Sequence, residues 1–116
     1  MRKIFVYFFA ILFAVFLGGC AKNADNFKQI YIDNGEKLIE ISVEIADDEA
    51  EAEKGLMFRE NLDENGGMLF VFNGNAVRTF WMNNTLIPLD IIFIGDKNEI
   101  VDIKHAVPCK MEPCAL

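Results

Sequence analysis

The sequence holds one serine, Ser42, and one histidine, His105, an inventory that argues against a serine hydrolase. Ser42 lies inside an alternating apolar and polar run with no Gly-x-Ser-x-Gly elbow, which excludes the usual serine triad arrangement. Gly66-Gly67 lacks the lysine and the helix context of a phosphate-binding loop, which argues against nucleotide hydrolysis on the same kind of ground. Bases are scarce too. Setting aside Arg2 and Lys3, the 11 bases become 9 against 18 acids, a net charge of -9 after residue 19. Such a surface repels nucleic acid, because phosphate binding needs Lys and Arg to displace counterions. Proline is nearly absent: of three, Pro88 alone adjoins a long apolar run, at a strand entry where no ladder donor is lost. With 116 residues, 53% of them apolar, the chain is neither a disordered acidic tail nor a multidomain assembly.

The N-terminal apolar run, Ile4 to Leu17, is 14 residues, short of the roughly 17 to 25 that cross a bilayer. Preceded by Arg2-Lys3 and followed by Gly18-Gly19, it has the order of an export signal. Leu17-Gly18-Gly19-Cys20 resembles the lipobox of bacterial lipoproteins, which implies lipidation of Cys20 after removal of residues 1–19. Two or three acyl chains, at about 0.8 kcal/mol per buried methylene, hold a protein on a membrane where one does so only marginally. The expected partner is therefore the membrane, and the expected location is outside the cytosol. Ala21 after the cysteine resembles the pattern sorted to the periplasmic face of the outer membrane in organisms with two membranes.

Residues 20–26 read as a lipidated polar tether and 27–116 as one domain. From Leu38 the chain alternates strictly, with Ile39, Ile41, Val43 and Ile45 opposite Glu40, Ser42 and Glu44, which is a half-buried strand. Asp47 or Asp48 offers an N-cap, Glu49, Glu51 and Glu53 suit the positive end of a helix, and Gly55 supplies its stop. Residues 68–72 and 89–94 are apolar on nearly both faces and read as central strands, and Glu99 to Lys104 closes a last hairpin. Turn residues recur about every ten positions, as in an all-β sandwich or barrel. The expected core is Phe58, Leu69 to Phe72, Phe80, Leu89 and Ile91 to Ile94.

Three blocks, Gly55-Leu56-Met57-Phe58-Arg59, Gly67 to Phe72 and Phe80 to Asp90, together with Pro108-Cys109 and Pro113-Cys114, closely resemble the DUF192 family of small, often exported prokaryotic domains. The resemblance runs from about Glu44 to Cys114 in fixed order. It implies a mainly β, jelly-roll-like sandwich with one or two short helices, and it brings no assigned activity. Members usually continue past the second Pro-Cys with further strands, so a C-terminally truncated domain is expected.

Cys109 and Cys114 flank Lys-Met-Glu-Pro, and in an oxidising compartment a local disulfide is the leading reading. Rival readings are redox exchange and a metal site of Cys109, Cys114, His105 and a carboxylate. No cofactor is expected. The candidate ligand-binding set is Arg59, Trp81, Asn84, Thr85 and Asp90, with Trp81 as an aromatic platform beside Asn83 to Thr85. A bland alternative places Trp81 on a strand with Val77 and Thr79, makes Asn84-Thr85 a turn, and pairs Arg59 with Asp90. Met57, Met68 and Met82 read as core filler. The expected function is a lipid-anchored envelope domain that binds a glycan or an envelope protein without turnover. The alternatives are an enzyme drawing its acids from Asp90, Asp102, Glu64 and Glu99, or a purely structural module.

Overall fold

A computed structural model describes residues 27–110. Strand β1 (Phe27–Asp33) pairs antiparallel with β2 (Leu38–Ala46), and β2 pairs in parallel with β3 (Gly66–Phe70), giving the order β1-β2-β3. A second sheet is the antiparallel hairpin of β4 (Leu89–Ile94) and β5 (Ile100–Ala106). The mainly β fold expected from the sequence is present as two sheets with one short helix, and no barrel closes among the described residues.

Strict alternation builds β2 as expected, one residue longer at Ala46. Its partner β1 carries a weaker pattern, and the turn between them explains the hairpin. The Asn34 side-chain oxygen accepts the N–H groups of Glu36 and Lys37 at 3.0 and 2.9 Å, and Asp33 accepts that of Gly35 at 2.8 Å. Parallel strands cannot be joined by a tight turn, so β2 reaches β3 through a crossover that holds helix α1 (Glu49–Lys54). Asp48 caps α1 by accepting the Glu51 N–H at 2.7 Å, and the Glu51 carboxylate accepts the Asp47 N–H in return. Gly55 ends it at φ 46°, donating its N–H to the Glu51 carbonyl at 2.8 Å. A Cβ at Gly55 would also lie 3.2 Å from the Phe70 ring, so both conformation and space favour glycine there.

The expected core is corrected by the structure. Full burial falls on Val43, Ala46, Leu56, Met82 and Ala106. Leu69, Phe70, Phe80, Leu89, Ile91 and Phe93 are half-buried. Phe58, Val71, Phe72, Ile92 and Ile94 are exposed. The reason is local: β4 has one covered face and one open face, and Val71 and Phe72 lie beyond the end of β3. Residues 75–80 form no ladder, so the expected strand of Val77, Thr79 and Trp81 is absent. What joins the two sheets is a row of rings. Phe80 meets Phe70 of β3 edge-on at 5.6 Å and Phe93 of β4 edge-on at 5.8 Å, with Phe72 at 6.4 Å carrying the Arg78 guanidinium on its face.

Phe80 is half-buried, so Phe80→Ala should cost about 2–3 kcal/mol, below the usual 3–5 for a fully buried aromatic. Phe72→Ala, on the open flank, should cost under about 1 kcal/mol. Urea unfolding of the two variants against wild type checks the difference.

Candidate functional site

The polar face of β2 sets the site. In the register, Glu44 lies opposite Phe27 on one side and Met68 on the other, while Ser42 lies between Gln29 and Gly66. Phe27, Ser42, Glu44 and Gly66 thus share one face of the sheet. After α1 the chain doubles back through two tight turns, Met57 N–H to Lys54 carbonyl at 3.0 Å and Arg59 N–H to Leu56 carbonyl at 3.4 Å. Leu56 is buried as the anchor of this loop. Phe58 takes φ 63°, a conformation unfavourable for a bulky side chain, and its N–H donates to the Asn84 carbonyl at 2.8 Å. The loop so held carries Arg59 back over β2.

There Arg59 donates from both terminal nitrogens to Glu44, Nη1 to Oε1 at 2.5 Å and Nη2 to Oε2 at 2.7 Å. This bidentate pair joins groups 15 residues apart in sequence, with side chains 35% and 20% exposed. The Arg59 hydrogen bond holds the Glu44 carboxyl below the ordinary carboxylate range against the opposing effect of burial, with the Arg59 and Lys54 charges adding to it. The same bond raises Arg59. Beside the pair opens a cleft of about 150 Å³ lined by Phe27, Ser42, Asn61, Asp63 and the Gly66-Gly67 backbone, with Leu62 at its wall. Gly66 permits the wall: its N–H donates to the Asp63 carbonyl at 2.8 Å, and a Cβ there would crowd three Asp63 atoms at 3.2–3.3 Å.

Compared with known proteins, residues 30–116 match the model of DUF192, a family described as uncharacterised. The chain belongs to the DUF192 family. Among solved structures it is similar to a protein of unknown function from Novosphingobium aromaticivorans DSM 12444, at 36% identity and a TM-score of 0.69. The alignment covers 78% of this DUF192 chain and 64% of that one, so the chain spans under two thirds of that structure's length. It is also similar to a Sinorhizobium meliloti 1021 protein named "a putative transcription regulator", at 30% identity and a TM-score of 0.67, covering 78% and 69% of the two chains. No curated protein matches the sequence.

In this DUF192 domain the five residues singled out from the sequence do not converge on one point. Arg59 borders the cleft. Asn84, at φ 52°, supports the Arg59 loop through its carbonyl, and Thr85 is buried with its hydroxyl donating to the Asn83 carbonyl at 3.2 Å. The expected turn at Asn84-Thr85 is present, closed by the Thr85 N–H on the Met82 carbonyl. Trp81 lies about half exposed and does not line the cleft. Asp90 belongs to the second sheet, where its carboxylate sits 2.8 Å from His105 Nδ1 across the β4–β5 ladder. The expected Arg59–Asp90 pair is therefore corrected: each has a different partner, because β2 and β5 respectively reach them first.

The four acids of the enzymatic alternative are dispersed. Asp90 pairs with His105, Asp102 with Lys104 at 3.0 Å, Glu99 sits at the hairpin turn and Glu64 in the loop before β3. Lys104 and the Ile103 N–H hold Asp102 below its ordinary range. Among the described residues no group of three metal-ligating side chains assembles. Cys20 and Cys114 lie outside the described residues, so lipidation and the Cys109–Cys114 pairing fall there too. Sequence reasoning missed Glu44, Phe27, Asn61 and Asp63 as site residues. Glu44 had the only available signal, a polar residue centred in an alternating strand, and Glu40 carries the same signal without a site.

Because Glu44 titrates lower in the folded than in the unfolded chain, its contribution is fully present above about pH 4.3 and is lost as pH falls through the depressed folded value. Glu44→Gln should therefore be about 1 kcal/mol less stable than wild type near pH 7, with the gap closing below pH ~4. Urea midpoints measured from pH 3 to 7 for both proteins check the sign.

Proposed function

We propose that the protein is an exported domain, anchored by lipid at Cys20, that holds a small ligand in the Glu44–Arg59 cleft without turnover. The observation that carries this reading is the cleft itself: charges of both signs, fixed by a bidentate pair, bordering open space beside an aromatic ring. Its lining contains neither histidine nor cysteine, and its one hydroxyl, Ser42, adjoins no base of the kind that activates a nucleophile. The lipobox-like Leu17 to Cys20 and the 14-residue run before it support export and anchoring. A glycan or a side chain of an envelope protein is the ligand class this compartment supplies. The local Cys109–Cys114 disulfide belongs to the same reading, as a staple formed after export.

The regulator name of the Sinorhizobium meliloti protein does not carry over as nucleic-acid binding. Residues 27–110 hold 8 bases against 16 acids, the wrong sign for a phosphate backbone. Intact-mass analysis of protein from the membrane fraction should show a chain beginning at Cys20 with diacylglycerol on its sulfur. Cys20→Ser should abolish both the processing and the added mass; an unprocessed, unacylated wild-type chain would remove the anchor from the proposal.

A further inference from the structure

The cleft has a charge pattern more specific than its polarity. Glu44 and Asp63 are two acidic residues on its lining against the single basic residue Arg59. Two of the five guanidinium N–H groups are committed to Glu44. A simple anion would meet the two carboxylates, and a simple cation would leave the guanidinium's remaining donors without a counterpart. A molecule carrying an ammonium at one end and an anion at the other satisfies both. Its ammonium would face Asp63 and the outer lone pairs of Glu44, and its anion would face Arg59. Phe27, 57% exposed, is the aromatic residue of the lining, and an ammonium over such a ring is worth about 0.5–1 kcal/mol at exposed sites.

Size narrows the class. At about 150 Å³ and open on one side, the cleft suits a headgroup-sized molecule or one end of a larger one. Position narrows it further. Phe27, a residue of the lining, is the seventh after Cys20, so an extended tether reaches at most about 25 Å. If Cys20 is anchored as proposed above, the cleft lies within reach of the phospholipid headgroups.

We propose that the Glu44–Arg59 cleft is a site for the phosphoethanolamine group, taken either free or as the headgroup of a phospholipid. This rests on the cleft being a ligand site, and its ligand chemistry can fail separately from that reading. The mature full chain, purified in detergent, is titrated calorimetrically with O-phosphoethanolamine, ethanolamine, inorganic phosphate, glycine and N-acetylglucosamine. Phosphoethanolamine should bind at least tenfold more tightly than either of its halves. Asp63→Asn, which keeps the shape of an exposed loop residue, should weaken it about tenfold, as should Arg59→Lys if that variant folds. Trp81→Ala should leave it unchanged. Short-chain phosphatidylethanolamine binding as well as the free group, with phosphatidylcholine failing, identifies the lipid as the source; binding of the free group alone identifies a soluble one. Glycine or N-acetylglucosamine binding in its place, with sensitivity to Asp63→Asn, overturns the phosphoethanolamine assignment and keeps the cleft. Binding by none of the probes overturns both.

Discussion

The bidentate pair of Arg59 and Glu44 is the contact on which the arrangement of this domain turns. It fastens the loop after α1 to the polar face of β2. The neighbouring residue, Phe58, hands its N–H to the Asn84 carbonyl, in the turn that precedes β4. A single short stretch of chain therefore touches the first sheet through a side chain and the lead into the second sheet through its backbone. The left-handed conformation of Phe58, unfavourable by about 1–3 kcal/mol for such a residue, is tolerated because both of its neighbouring contacts fix it. Remove the ion pair and one of the two restraints on that strained residue is gone.

Packing alone would not hold the sheets as they stand. Among the described residues the buried apolar side chains are few and mostly small, among them Ala46 and Ala106, and Phe70, Phe80 and Phe93, which bridge the sheets, are only half-buried. Edge-to-face contact through Phe80 supplies the apolar link, and the Arg59 loop supplies the polar one. The two links are complementary in kind. Ring packing is tolerant of small displacements, whereas a two-bond fork between guanidinium and carboxylate fixes orientation as well as distance. The cleft inherits its shape from the second.

How much of this could be read in advance follows from the range of each interaction. The β2 strand and the capped helix α1 were legible because their signals are local: period-two alternation from Ile39 to Ile45, an aspartate at the N-cap, a glycine at the stop. The hairpin of β4 and β5 was legible from Gly95 to Asn98 for the same reason. The partner of Arg59 was not. Asp90 and Glu44 are equally plausible carboxylates along the chain, and only the parallel pairing of β2 with β3, after a crossover of 19 residues, decides between them. Burial of the apolar runs was misread at Val71, Phe72, Ile92 and Ile94 because composition cannot tell a strand covered on both faces from one covered on a single face. The candidate site suffered most, since its members come from β1, β2, the loop of residues 59–63 and the start of β3, four segments with no shared motif.

A double-mutant cycle on the ion pair tests the account most directly. Glu44→Gln, Arg59→Gln and the double variant are unfolded in urea at pH 7, and the interaction energy is taken from the four midpoints and slopes. A coupling of about 1 kcal/mol or more is predicted, with the double variant scarcely less stable than either single one. Additive effects, with a coupling within about 0.3 kcal/mol of zero, would contradict the claim that this pair organises the loop and the cleft beside it.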